Sequence, residues 1–248
     1  MIIFKSEYEI ELMRKAGAVA AEVLQRLGEK IEAGMTTADL DALAEDLIRK
    51  KGGRASFKGY NGFPASICTS VNQEVVHGIP GKRVLRQKDI VSIDVGVEMN
   101  GYHGDTAWTF CVGEVEENVA RLLQTTQQCL QDGIAMARAN NRLGDVGSAI
   151  QKRAESAGFS VVRELIGHGI GQNLHEDPNV PNYGKPGRGV KLRPGMTLAI
   201  EPMINLGAAD VVVLSDEWTV VAKDGKPSAH FEHTIAVLED GCRILTAL

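Results

Sequence analysis

The sequence predicts an α+β fold built from two related halves, and three observations predict it. Apolar residues recur at helical spacing in two pairs of segments, each pair followed by apolar strand patterns. Asn100-Gly101 lies between two strand patterns, the signature of a type I′ hairpin. A block of helix, glycine, strand and carboxylate also recurs at an offset of 106 to 107 positions. Asp39-Leu40, Gly52, Leu85-Arg86 and Asp94 match Asp145-Val146, Gly158, Leu192-Arg193 and Glu201. Coincidence between two ordinary helix–strand units would give such a match. A duplicated half, with Asp94 and Glu201 at equivalent strand ends about a pseudo-twofold axis, is the sharper reading.

The elements follow in order. Ser6-Glu7-Tyr8-Glu9 is a capping box, and Ile10, Met13, Gly17, Ala20, Leu24 and Leu27 follow at helical spacing, which predicts a helix over 7–28. Thr36 or Thr37 caps a second helix with Leu40, Leu43, Leu47 and Ile48 inward, and Gly52-Gly53 stops it. Strands are expected over 65–71 and 90–98, and the segment YHGDTAWTFCV returns from the Asn100-Gly101 turn as the partner of the second. Helices over 116–138 (Val119, Leu122, Leu123 and Leu130 inward) and 144–157 come next. The remainder reads mostly as strands, over 160–166, 197–204, 211–214, 217–222 and 231–237. No low-complexity linker divides the 248 residues, so one catalytic-sized domain is expected, with halves at about 1–110 and 111–248.

Composition narrows the function classes. The 44% hydrophobic and 24% charged residues fit a globular domain and exclude disorder, collagen and coiled coil as the main architecture. A net charge of −5 argues against general affinity for nucleic acid or an anionic membrane. Apolar runs are too short to span a bilayer. The opening segment lacks a signal-peptide layout, because acidic residues begin at Glu7 with no apolar run behind them. Cys68, Cys111, Cys129 and Cys242 lie far apart with no CxxC pair, as expected of reduced thiols in a cytoplasmic protein.

The carboxylates carry the chemistry. Asp94 sits in Ile-Val-Ser-Ile-Asp-Val-Gly, and an ionised carboxylate in so apolar a strand is costly unless it is paired or bound to a cation. With the turn at 100–101, Met99 faces Tyr102 and Gly96 faces Asp105, so Asp94 and Asp105 are diagonal neighbours on one face. Two such carboxylates repel unless a proton or a metal lies between them. His168 in Gly-His-Gly-Ile-Gly, Glu201 before Pro202, and Glu232 in Phe-Glu-His-Thr are three further candidates. Singly, each is more often a structural residue than a ligand. Together they offer four carboxylates and one imidazole. That set suits Mn²⁺, Fe²⁺ or Co²⁺ and admits Zn²⁺. Two divalent ions would neutralise the four negative charges, held about 3.5–4 Å apart as in two-metal hydrolytic sites. There is no G-x-S-x-G, Walker A or HExxH motif, and Gly167-x-Gly169-x-Gly171 lacks the dinucleotide spacing.

These residues resemble those of the type I methionine aminopeptidases, along essentially the whole chain. In that family two aspartates eleven residues apart, a histidine and two later glutamates bind a dinuclear centre. The matching positions are Asp94, Asp105, His168, Glu201 and Glu232, in IDVG, GDTA, GHGIG, IEPM and FEHT. The resemblance implies a pita-bread fold, with two pseudo-twofold-related halves around a curved antiparallel sheet. It implies two divalent ions (Fe²⁺, Mn²⁺, Co²⁺ or Zn²⁺) and removal of the N-terminal methionine from nascent polypeptides whose second residue is small. It implies that His77, in Val-Val-His-Gly-Ile-Pro, contacts substrate near the scissile amide. His175, in Leu-His-Glu-Asp-Pro, would stabilise the tetrahedral intermediate, and Glu201 would take the water proton. By local match the methionine pocket falls on Tyr60, Phe63, Cys68, Leu174 and Trp218, although relatives often carry Tyr or a bulky aromatic where Phe63 and Leu174 stand. Asn72 and Ser228 resemble residues of a monovalent-cation site. The family also suggests a cytoplasmic monomer and a ribosome contact, though no basic tail marks one. His103, His230 and His233 read as turn or surface residues.

Relatives with the same ligands differ in layout. Prolidases and X-prolyl aminopeptidases carry a large domain ahead of the catalytic one, which is not expected here. Type II enzymes carry an insertion between the histidine ligand and the first glutamate, whereas His168 and Glu201 are 33 residues apart. An X-prolyl-type enzyme and a non-catalytic peptide-binding pita-bread protein are the alternatives.

Overall fold

The computed structural model describes residues 1–247. Helix α1 spans Glu7–Gly28 and α2 spans Thr37–Lys50. Both open on capping boxes: Ser6 Oγ accepts from the Glu9 amide while Glu9 accepts from the Ser6 amide, and Thr36 with Asp39 repeats the pattern. These reciprocal bonds satisfy amide donors that the first helical turn leaves free. Helices α3 (Glu117–Met136) and α4 (Leu143–Ser156) cover the second half.

All strand pairs are antiparallel. The long hairpin Ile90–Met99/Tyr102–Cys111 turns through Asn100 and Gly101, both at positive φ (54° and 79°), as a type I′ turn requires. Cys68–Val71 and Arg54–Ala55 pair with the free side of Ile90–Met99. Helix α1 lies directly on the hairpin, because a Cβ at Gly104 would come within 2.5 Å of Gly17 Cα. In the second half a five-stranded sheet runs in the order Gly241–Ile244, His233–Leu238, Thr197–Ile200, Gly167–Gly169, Glu176–Val180. Two three-stranded sheets complete the fold. One joins Ser228–His230, Met203–Asn205 and Ser160–Val161, and the other joins Val211–Val213, Val220–Ala222 and Glu74–Val76.

The helices bury the expected faces. Leu27, Leu40 and Ile48 pack with Ile67 and Ile93 in one core, and Leu122, Leu130 and Ile150 pack with Phe231 and Ile235 in another. A seam of side chain–backbone bonds ties the hairpin to the second half. Thr234 Oγ1 accepts from the Asp105 amide and donates to the Asp105 carbonyl. Thr106 Oγ1 donates to the Glu232 carbonyl at 2.8 Å, and the Glu232 amide donates to the Ala107 carbonyl. This seam sets Asp105 beside Glu232.

The structure corrects several strand expectations. Segment 160–166 pairs only over Ser160–Val161, and 65–71 only over Cys68–Val71. Segment 197–204 breaks into Thr197–Ile200 and Met203–Asn205, because Pro202 has no N–H to continue the ladder. Glu201 therefore stands at a strand end, whereas Asp94 lies in mid-strand. Short strands such as Gly167–Gly169 and Glu74–Val76 carry too few residues to show a period. Among the described residues, no helix is long and apolar enough to cross a membrane.

Candidate active site

Five chain segments bring their carboxylates and imidazole to one cavity of about 190 Å³. Asp94 and Asp105 come from the two hairpin strands, with Gly96 opposite Asp105 in register as the turn arithmetic requires. His168 comes from Gly167–Gly169, Glu201 from the break before Pro202, and Glu232 from the residue ahead of His233–Leu238. One donor atom each from Asp105, His168 and Glu232 fall within 4.8 Å of one another. His168 Nε2 is 4.0 Å from Asp105 Oδ2 and 3.7 Å from Glu201 Oε1. Its Nδ1 lies 2.8 Å from the Gly169 carbonyl. That partner assigns the proton to Nδ1 and turns the Nε2 lone pair toward the carboxylates, the arrangement of a metal-binding imidazole.

Burial without counter-charge perturbs every member. It pushes the Glu201 carboxyl up to about 8. Asp105 is pushed up to about 7 by burial and then by the neighbouring Glu201 charge. Asp94 and Glu232 are raised further, by burial first and then by the surrounding carboxylates. Burial, with His175 adding to it, lowers His168 to about 3, so its imidazole is neutral. Asp94 Oδ1, Asp105 Oδ1 and Glu232 Oε1 are buried and have no hydrogen-bond partner. Buried polar atoms left without partners are costly, and oxygens converging on one space fit cations. Four carboxylates with one neutral imidazole and no thiolate among them form a set for hard or borderline divalent ions. The residues present therefore fit divalent metal.

The cavity wall is apolar and aromatic. Phe63 and Trp218 meet edge to face with ring centroids 5.1 Å apart. Leu174 is buried beside them, and Cys68, opposite Asp94 in register, is held as a neutral thiol by burial. Tyr60 Oη lies 2.8 Å from His175 Nδ1, and the His175 ring sits 4.2 Å from that of His168. His77 lines the same cavity at φ 59°, a left-handed conformation uncommon for a histidine and of the kind that gathers at functional sites. All twelve expected site residues line this one cavity. A larger surface cleft of about 500 Å³ shares only Tyr60 with it, and the charges along it pair as Lys58–Glu45 and Arg54–Glu98.

The model of metallopeptidase family M24 matches residues 11–239. This chain belongs to family M24, among its methionine aminopeptidases. It is 53% identical over 246 residues to methionine aminopeptidase 1 of Bacillus subtilis, covering 99% of each chain. The solved methionine aminopeptidase of Thermotoga maritima superposes with a TM-score of 0.99 at 48% identity, over 100% of both chains. The prolidase of Pyrococcus horikoshii shares the fold at a TM-score of 0.79 and 22% identity, with this chain covering 64% of its length. Such neighbours share the pita-bread architecture expected from the sequence.

The structure also corrects and extends the residue set. His230 is not a surface residue, and His233 is only partly exposed. His230 is 1% exposed, and His233 is pinned through Nδ1 to Thr246 Oγ1 at 2.9 Å. His103 does sit just past the turn, half-buried, its Nδ1 2.9 Å from Ser56 Oγ. Alternation misplaced His230 and His233 because Ser228–His230 is buried at every position and His233–Leu238 at its four inner ones, so neither strand shows a solvent face. Phe57 and Asn61 line the cavity without having been singled out. The cue was the glycine-flanked run Gly59-Tyr60-Asn61-Gly62, where Asn61 takes φ 48°. Asn72 and Ser228 do meet. The Ser228 amide donates to the Asn72 carbonyl, and Asn72 Nδ2 donates to Asp89 at 2.8 Å.

Proposed function

We propose that this protein removes N-terminal methionine from polypeptides whose second residue is small, acting on nascent chains in the cytoplasm as a monomer. The observation that carries the reading is the joining of two features in one small cavity. Its base is a cluster of unpartnered buried carboxylates, and its wall is apolar, aromatic and sized for one side chain. Phe63, Trp218, Cys68 and Leu174 would receive the methionine thioether, since such a pocket offers no partner to a charged or strongly polar side chain. Asp94, Asp105, His168, Glu201 and Glu232 would hold two divalent ions (Fe²⁺, Mn²⁺, Co²⁺ or Zn²⁺). When bound, these ions supply charge neutralisation, a water of lowered pKa and polarisation of the scissile carbonyl.

The remaining work falls to the chain's own groups. Glu201 takes a proton from the attacking water and passes it to the leaving amine. Tyr60 donates its hydroxyl proton to His175 Nδ1, which leaves the imidazole proton on Nε2, free to donate to the developing oxyanion. His77 lines the same cavity and would contact the substrate amide. A cavity of about 190 Å³ has room for one side chain and so favours an exopeptidase. Asn72 and Ser228 are the residues toward which a monovalent cation would bind, and a ribosome contact would follow from action on nascent chains. The two halves, about 1–110 and 111–248, are read as a duplicated unit in a single catalytic domain.

The test is hydrolysis of Met-Ala-Ser by protein stripped with chelator and titrated with each ion. Turnover is expected only with metal, and only from peptides with a free amine. Full turnover by verified metal-free protein, or equal turnover of an N-acetylated peptide, would overturn the reading.

A further inference from the structure

His230 is fully buried, yet its Nε2 has no hydrogen-bond partner. That atom lies 3.4 Å from Glu201 Oε2. The other oxygen, Oε1, faces His168 Nε2 at 3.7 Å. The two oxygens of Glu201 are thus divided between two imidazoles. The Asn182 side chain donates to the Glu201 backbone carbonyl, and among the described residues no other donor reaches the carboxylate.

The His230 ring has little freedom to leave. Its amide donates to Thr109 Oγ1 at 3.0 Å, and its carbonyl accepts from the same hydroxyl at 2.8 Å. Its backbone also pairs with Met203, two residues beyond Glu201 on the neighbouring strand. A shift of a few tenths of an ångström in the longer, cavity-facing Glu201 side chain closes the contact to hydrogen-bond length. The chemistry selects the tautomer. In the metal-loaded site, where Glu201 is ionised, a proton on Nδ1 would leave an Nε2 lone pair facing a carboxylate oxygen across a buried gap. With the proton on Nε2, the same contact is a hydrogen bond to an ionised acceptor, among the stronger kinds.

We propose that His230 is a positioning residue whose Nε2–H donates to Glu201 Oε2 and fixes the carboxylate in the orientation that exchanges a proton with the attacking water. This rests on the reading of Glu201 as the base. The bond restrains the carboxylate from rotating about its last torsion, so the acceptor oxygen is presented without a search at each turnover.

The test compares His230→Leu with His230→Gln, because glutamine retains an N–H donor. On Met-Ala-Ser at saturating Mn²⁺, His230→Leu is expected to lower kcat roughly ten- to hundredfold, the worth of a hydrogen bond to an ionised group. KM should stay within about threefold, and His230→Gln should return kcat to within about threefold of wild type. Independently of activity, nitrogen-15 NMR of the Zn²⁺-loaded wild-type protein should show His230 protonated at Nε2 and bare at Nδ1. Wild-type kcat in His230→Leu, a His230→Gln variant as slow as His230→Leu, or a proton on Nδ1 would each overturn the proposal. Retained turnover in Glu201→Gln would instead remove the base reading, while leaving the NMR measurement of this hydrogen bond standing.

Discussion

Removing metal should invert the dependence of stability on pH above neutrality. The perturbation is exhaustive chelation. In the metal-free fold Glu201 titrates near about 8 and Asp105 near about 7, and Asp94 and Glu232 are also raised, whereas unfolded carboxyls titrate near about 4. A group whose folded pKa lies above its unfolded value contributes stability at low pH and loses it as pH rises through the folded pKa. The buried histidines act in the opposite sense. His77 and His233 are lowered to about 4, and His168 and His230 to about 3, by burial first, so they weaken the fold as pH falls below about 6.5. Above pH 6.5 the unfolded histidines finish titrating, so these four regain only about 0.4 kcal/mol each by pH 8, a gain opposite in sign to the carboxylate loss. From pH 6.5 to 8, Glu201 forfeits about 2 kcal/mol and Asp105 somewhat under 1, with Asp94 and Glu232 adding to both. Net of the histidines, Glu201 and Asp105 leave a loss of about 1 kcal/mol, which Asp94 and Glu232 enlarge, and each further kcal/mol lowers Tm by roughly 2–4 °C for a domain of this size. The assay is thermal unfolding by circular dichroism in half-unit pH steps, with chelator and with saturating Mn²⁺. Chelated protein should be most stable near pH 6.5 and decline above it, and bound Mn²⁺ should abolish the decline. A chelated Tm that holds constant or rises from pH 6.5 to 8 would refute the placement of four mutually unscreened carboxylates in this cavity.

Three further outcomes are expected. Glu201→Gln should lower kcat by about 10²-fold or more with the far-ultraviolet spectrum unchanged, since general base catalysis is worth roughly 10²–10⁴; loss of less than tenfold would contradict the role. His175→Ala should reduce kcat more than it raises KM, as measured on Met-Ala-Ser, because its hydrogen bond strengthens only as the oxyanion forms. Lys5→Met should lower Tm by ~6–20 °C in a thermal scan, because Lys5 and Glu176 form an ion pair with side chains only 3% and 4% exposed, and removing one partner of such a pair costs about 3–5 kcal/mol.

The sequence by itself determined whatever depends on local period and turn chemistry. Helix α1 begins at Ser6 because the capping box is written in four consecutive residues, and the hairpin register follows from Asn100-Gly101 by counting. That register alone placed Asp94 diagonal to Asp105. The candidate donor set was also legible, because Asp94 stands in a strand too apolar for solvent, the register puts Asp105 beside it, and the five motifs follow the order of the family they resemble. Tertiary structure decided what depends on contacts remote in sequence. The three-residue strand Gly167–Gly169 exists only through pairing on both sides, with Thr197–Ile200 and Glu176–Val180, and three residues carry no period of their own. The seam from Asp105 to Thr234 spans 129 positions and is made by one threonine hydroxyl that nothing local distinguishes. His230 sits in a segment buried on both faces, where alternation gives no direction, so only packing shows that its ring faces Glu201. Local order follows from short-range sterics and hydrogen bonds, whereas the side of a sheet that becomes interior follows from what the rest of the chain lays against it.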